Sequence, residues 1–285
     1  NCNNRGNVTG YNYVAGLVGG NNHSTISNCY SKSNISGIYD VGGIVGYNNY
    51  STVINSNSTS SVSGENNIGG LVGYNYESTV LNSFCSGTVS GNDYIGGLVG
   101  DNYYSTASNS YSMSSVSGSS YIGGLVGGNE YATVNNCYSI GSVSGNESVG
   151  GLIGNTDKTS GDYSSLVLNS FWDKQTSGID SSAGGTSKTT TEMNTISTFT
   201  NAGWNLNLVW AIDNAANNGY PYISDRGISF AGIEPIDTDG DGYRNITCYS
   251  HLHWVSLNES SWDWDYELDN NINADSTRLI SGDIG

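Results

Sequence analysis

The chain is 285 residues long and carries 25 Asp and Glu against 8 Lys and Arg, a formal net charge of −17; eight scattered cations cannot build the basic surface that nucleic acid or an anionic membrane selects, so both are poor partners. Forty Gly, two Pro (Pro221 and Pro235) and 21 Tyr, with abundant Ser, Asn and Thr, disfavour helices and favour strands and turns. No apolar run approaches the ~20 residues of a membrane helix and no signal peptide is recognisable, so membrane insertion is not expected, and the abrupt opening Asn1-Cys2-Asn3-Asn4 reads as a mature or excised piece.

From the N-terminus the chain repeats. Gly-Gly-Leu-Val-Gly and its variants end at Gly19, Gly46, Gly73, Gly100, Gly127 and Gly154, each 27 residues after the last. In the same register lie a Thr column (Thr25, Thr52, Thr79, Thr106, Thr133) and an Asn column (Asn28, Asn55, Asn82, Asn109, Asn136). Tyr30, Phe84, Tyr111 and Tyr138 form a mostly aromatic column, interrupted by Asn57, and Val8 to Val143 an apolar one. Short β-branched stretches separated by Gly, Asn and Ser, with no helical period, predict a parallel β-solenoid of 27-residue coils over residues 1–160, each coil tracing two or three strands. Identical columns then stack at the ~4.8 Å strand spacing, and an insertion inside a strand would exchange its inward and outward faces. On this reading Asn28, Asn55, Asn82, Asn109 and Asn136 form an amide ladder along the axis. The Gly columns mark corners that need positive φ or close backbone approach. Leu98 and Val99 are both apolar, so the period does not say which faces inward.

The recurring Gly-[Leu/Ile]-[Val/Ile]-Gly, followed by Tyr-Asn, Ser-Thr-Val, Asn-Ser and Val-Ser-Gly, resembles the GLUG-repeat family across roughly residues 1–170. The resemblance implies a right-handed solenoid of the kind found in large bacterial and archaeal surface proteins, including adhesin-like proteins and the non-catalytic region of some immunoglobulin A proteases. Phe171-Trp172-Asp173 and the sequence after it, through Trp210-Ala211 and Tyr220-Pro221-Tyr222, are similar to the segment that closes such arrays, here residues 161–226. Within it, Lys188 to Asn201 predicts one amphipathic helix through Met193, Ile196 and Phe199, stopped near Gly203. After a linker at 227–236, residues 237–285 resemble the opening cap of a following or neighbouring module, with a strand, a short helix and a second strand.

Asp237, Asp239 and Asp241, with Gly at the sixth position, have the spacing of a calcium loop, although Cys248 stands where a bidentate Glu is required; a Ca2+ site and a plain acidic turn are the two readings. No other cofactor is expected. Cys2 and Cys29 share a column in adjacent coils, a spacing compatible with a disulfide, whereas Cys85 and Cys137 read as small buried hydrophobes. His251 and His253 lack a zinc-protease pattern, and the acidic residues of the coils fall at irregular phases as solvated turn charges. Tyr103, Tyr104 and Tyr131, in the turn after the pentapeptide, either face a glycan or stack on one another. The expected function is a non-catalytic structural rod of an extracellular fibre or cell-surface adhesin, joined head to tail with its own kind. The alternatives are a carbohydrate-binding surface module and a β-helix polysaccharide-degrading enzyme with a carboxylate pair in a groove.

Overall fold

The computed structural model describes residues 2–156, 164–206, 209–213, 216–224, 244–246 and 266–268. The chain divides into two compact units, residues 1–206 with 212–221, and residues 207–211 with 222–285.

The first unit is an all-β parallel solenoid. Each 27-residue coil contributes five short strands, two more than the upper sequence estimate, because the Gly-rich pentapeptide is not one strand but a bend between two. In the coil around residue 95 the strands are Phe84–Cys85, Thr88–Ser90, Asp93–Gly96, Val99–Tyr103 and Thr106–Ser108. Their copies stack into five parallel sheets, four of six strands and one of eight. The pairing holds the sequence period without slippage: Thr52 pairs with Thr79, Val62 with Val89, Ile68 with Ile95 and Val72 with Val99. Three further strands, Leu166–Leu168, Phe171–Asp173 and Thr186–Lys188, continue the ladders past residue 160.

The interior has two lobes. Leu71, Val72, Val80, Leu98, Val99 and Val134 belong to the larger, and Ile35, Val62, Ile68, Ile95 and Val116 to the smaller. Leu98 and Val99 are both fully buried, since the chain bends at Gly97 and turns two successive side chains inward. The waist between the lobes explains the glycines. A Cβ on Gly97 would lie 2.1 Å from the Gly124 carbonyl oxygen and 2.2 Å from Ser112 Oγ, so this column is required for close approach.

Within the coils positive φ falls elsewhere, on residues with side chains, Gly87 excepted. Asn28, Asn55, Asn82, Asn109 and Asn136 have φ between 46° and 61°, and His23, Tyr50, Glu77, Tyr104 and Tyr131 between 44° and 52°. Asn tolerates the left-handed conformation better than most residues. Each such corner is followed by Ser, Cys or Ala. The serine hydroxyl donates to the carbonyl two residues back (Ser56 to Ile54, 3.0 Å; Ser78 to Tyr76, 2.7 Å) and accepts the N–H of the coil before (Ser56 to Ser83, 3.1 Å; Ser51 to Ser78, 2.9 Å). Backbone groups freed by the turn are thus hydrogen-bonded.

The ladder closes with a size change. Trp172 pairs with Ser139 in a column that is Ser or Cys from Ser31 to Ser139, and its indole joins the larger lobe and donates to the Ile179 carbonyl at 2.9 Å. The single helix expected over 188–201 is instead two: α2 (Thr190–Met193), started by a Thr189/Glu192 capping box, and α3 (Ile196–Thr200), preceded by α1 (Lys174–Ser177). The chain leaves helical geometry between Asn194 and Thr195, which turns Met193 and Phe199 inward and leaves Ile196 54% exposed. No helix of the described residues is long and apolar enough to cross a membrane.

In the second unit Trp210–Ala211 pairs antiparallel with Tyr222–Ile223, and Arg244–Ile246 pairs parallel with Tyr266–Leu268. Asp237, Asp239, Asp241, Cys248, His251 and His253 lie outside the described residues, as does the linker at 227–236.

Candidate functional site: a tyrosine and carboxylate face

The buried amide ladder runs in a different column from the one expected. Asn21 Nδ2 donates to Asn48 Oδ1, Asn48 to Asn75 and Asn75 to Asn102, each at 2.8 Å, and Asn102 to Asn129 at 2.9 Å. Asn129 ends the chain of bonds on the Ala132 carbonyl at 3.0 Å. The column from Asn28 to Asn136 serves its corners instead. A 3.5 Å bond joins Asn136 to Asn109, while Oδ1 of Asn82 is buried without a hydrogen-bond partner. The physical reason is position: Asn48 lies within a regular strand, so its amide meets copies of itself above and below, whereas Asn82 sits at a left-handed bend. The signal was present, since Asn recurs at 21, 48, 75, 102 and 129, two residues after the pentapeptide.

Cys2, Cys29, Cys85 and Cys137 are free thiols, so Cys2 and Cys29 are not bridged. Stacked coils hold equivalent Cβ atoms side by side and parallel, a poor geometry for a disulfide. Cys29 and Cys137 occupy the corner serine column, with Cys137 Sγ donating to the Asn135 carbonyl at 3.2 Å. Cys85 occupies the waist column between Ser58 and Ser112 and donates to the Gly97 carbonyl. Burial pushes the Cys85 and Cys137 thiols up to about 12. They act as serine replacements with little thiolate character at neutral pH.

Tyr103, Tyr104 and Tyr131 do come together. Tyr104 stacks on Tyr131 at 4.8 Å and 11°, and Tyr103 meets Tyr104 edge-on at 4.7 Å. They extend a longer ribbon in which His23 stacks on Tyr50, Tyr50 meets Tyr76 edge-on and Tyr76 stacks on Tyr103. Face-to-face stacking between coils uses the ring faces that a sugar would need, so the arrangement favours stiffening of the turn. Six tyrosines (Tyr13, Tyr50, Tyr94, Tyr104, Tyr121, Tyr131) have left-handed backbone, at about 1–3 kcal/mol each. Their stacking partners offset part of that cost.

The carboxylates are less uniform than expected. Asp101 is 9% exposed rather than a solvated turn charge, and its Oδ1 has no hydrogen-bond partner. It stands in an outward column whose register runs Gly20, Tyr47, Tyr74, Asp101, Gly128. Burial first, then the charges of Glu130 and Asp40, push its carboxyl up to about 8. Asp40 is also raised by burial, against the pull of a 2.8 Å bond from Asn67 Nδ2. Sequence reading missed this group because its burial comes from Tyr94 on the strand before and from the adjacent coils above and below.

Asp173 is the other buried carboxylate. Its Oδ1 caps α1, accepting from the N–H groups of Gln175 at 2.8 Å and Thr176 at 3.3 Å. Its Oδ2 accepts from the hydroxyls of Thr190 and Tyr220, both at 2.7 Å. Beside it, Tyr138 stacks on Tyr111 at 4.9 Å and donates to the Pro221 carbonyl. This is a structural hub with every contact internal to the closing segment and last coils. Among the described residues no group of three His, Cys, Asp or Glu is placed to hold a metal ion.

The family described as the GLUG motif matches residues 10–36 and 118–144, one coil near each end of the repeat array, and those two segments carry the GLUG motif. A comparison with curated proteins finds no match. Among solved structures, the chain is similar to a Bacteroides ovatus protein provisionally described as an immunoglobulin A1 protease, with 21% identity and a TM-score of 0.41. The alignment covers 71% of this chain and 58% of that one.

Proposed function

We propose that this chain is a non-catalytic structural segment of an extracellular fibre or cell-surface adhesin, joined head to tail with further modules or copies. The observation that carries the reading is the unslipped 27-residue register, in which five strands per coil pair with copies on both sides. Each coil adds backbone hydrogen bonds worth about 1 kcal/mol net apiece and another slice of core, so length grows without new fold information. Buried Asn and Ser ladders fix the register, and the net negative charge keeps such surfaces soluble. Negative-stain imaging of native material tests this. Unbranched fibres or surface stalks support it, and monodisperse globules that turn over a glycan or peptide contradict it.

One observation favours a second reading, a carbohydrate-binding surface module: six tyrosines hold left-handed backbone, three of them (Tyr50, Tyr104 and Tyr131) at corners between strands. Binding on a glycan array that vanishes when Tyr103, Tyr104 and Tyr131 become Ala would support it. Unchanged binding would assign those rings to stiffness alone.

A further inference from the structure

Between Lys32 and Lys158 the sequence has no Lys, Arg or His, but eight acids: Asp40, Glu65, Glu77, Asp93, Asp101, Glu130, Glu147 and Asp157. A solvated acid needs no partner. Asp101 is different, because nine-tenths of it is withdrawn from water and one oxygen has nothing to accept from. Such a carboxylate is costly to keep unless a proton or a cation joins it.

Its walls say which cation. Along the sheet Asp101 lies between Tyr74 and Gly128. Because Gly128 has no side chain, the Tyr94 ring leans into that place: a Cβ on Gly128 would be 2.7 Å from Tyr94 Cδ1 and 2.8 Å from Asp101 Oδ1. Tyr94 is backed by Tyr121, stacked at 4.7 Å, and Tyr74 by Tyr47 at 5.6 Å. Two tyrosine rings therefore bracket one carboxylate, with the negative charges of Glu130 and Asp40 close enough to act on it. A divalent metal wants several hard oxygens at once. A single carboxylate flanked by aromatic rings suits a monovalent organic cation, which gains from the ring quadrupoles as well as the charge.

We propose that the Tyr74–Asp101–Tyr94 bracket binds an alkylammonium group, carried by a free amine or a lysine side chain. The Tyr94 ring is the movable wall, and its turning away from Gly128 opens Asp101 Oδ1 to the ligand. The carboxyl must lose its proton for the charge pair to form, so binding and proton release are coupled. The ionisable groups facing Asp101 are Tyr74 on the preceding coil, Tyr94 on the neighbouring strand, Tyr103 on its own strand, and Glu130 and Asp40. Burial raises all three tyrosines, Tyr94 to about 12, so they stay neutral while Asp101 titrates near 8.

The test is calorimetric titration of n-propylammonium, and in parallel of Nα-acetyl-lysine amide, into the full chain at constant ionic strength. One saturable site is expected, roughly 20-fold tighter at pH 8.5 than at pH 6.5, as the ionised fraction of a group near 8 requires. Asp101→Asn should abolish binding and its pH dependence, whereas Glu147→Gln at the exposed start of another strand should leave both intact. Tyr94→Phe should retain binding and Tyr94→Ala weaken it about fivefold or more, which keeps the test decisive should Asp101→Asn misfold. Preference for the lysine amide over propylammonium would point to a polypeptide source and the reverse to a free amine. No saturable binding, or equal binding by the native chain and Asp101→Asn, overturns the proposal without touching the structural role.

Discussion

In the coils, the buried amides of Asn48, Asn75 and Asn102 each answer a copy of themselves 27 residues away, so any one bond is one of a series. In the closing segment the same need is met once. Asp173 alone gathers two N–H groups and two hydroxyls, and nothing repeats it. Repetition spreads the consequences of a change, and a unique hub concentrates them. The difference also shows in the aromatic residues. The coils stack like on like, Phe84 on Tyr111 on Tyr138, whereas the closing segment packs Phe171, Phe199 and Trp204 at mixed angles of 36° to 86°.

The comparison is broken most severely at Asp173. Asp173→Ala leaves four donors without an acceptor and is expected to lower stability by about 3–5 kcal/mol. Urea unfolding should show the closing segment lost first, read by the fluorescence of Trp172 and Trp204. A loss under about 1 kcal/mol would mean that the hub is not one.

The next effect belongs to Asp101. Its folded value near 8 lies above the ~3.9 of an unfolded Asp, so the folded state holds a proton that the unfolded chain releases. Stability should therefore be fullest below about pH 4 and fall as pH rises toward 8, by about 2 kcal/mol between pH 5 and 7. Asp101→Asn should flatten that slope. A native slope of opposite sign would place the carboxylate in water.

Asn75→Ala should remove about 2 kcal/mol, since Asn48 Nδ2 loses its acceptor and Asn102 Oδ1 its donor. Asn129→Ala, at the end of the ladder, should cost less. Equal costs would argue that the amides do not act in series. At a corner, Asn82→Ala is expected to cost about 1 kcal/mol and Asn82→Gly less, because the left-handed backbone and not an amide bond sets the preference there. The smallest effect is expected for Cys137→Ser, within about 1 kcal/mol, since serine fills the same column at Ser83 and Ser110. A large loss would show that the thiol's packing matters beyond that of a hydroxyl.

Much of this was readable in the chain. A period of 27 without insertions fixes a stacked β-fold, because only in-register pairing makes an inserted residue intolerable. The same columns did not say which Asn amides meet. Asn82 and Asn75 recur with equal regularity, and only the backbone, left-handed at one and extended at the other, separates their roles. Tyr103, Tyr104 and Tyr131 were identified as neighbours, but whether their faces look outward or at each other depends on ring angles that sequence does not carry. Asp101 is the clearest case of hidden information. Its burial is made by Tyr74, Tyr94 and the missing side chain of Gly128, and no property of Asp101 itself announces it. Trp172, by contrast, declared the end of the array by standing where the five coils before it place Ser or Cys.

The central claim is that equivalent residues of successive coils stand above one another at a constant rise. Spin labels on Thr25 paired in turn with labels on Thr106, Thr133 and Leu166, which lie three, four and five coils along the same sheet, measure that rise directly. Mean separations increasing by about 4.8 Å per coil agree with the stacked solenoid. Separations that do not grow in equal steps, or that shrink from one pair to the next, contradict it.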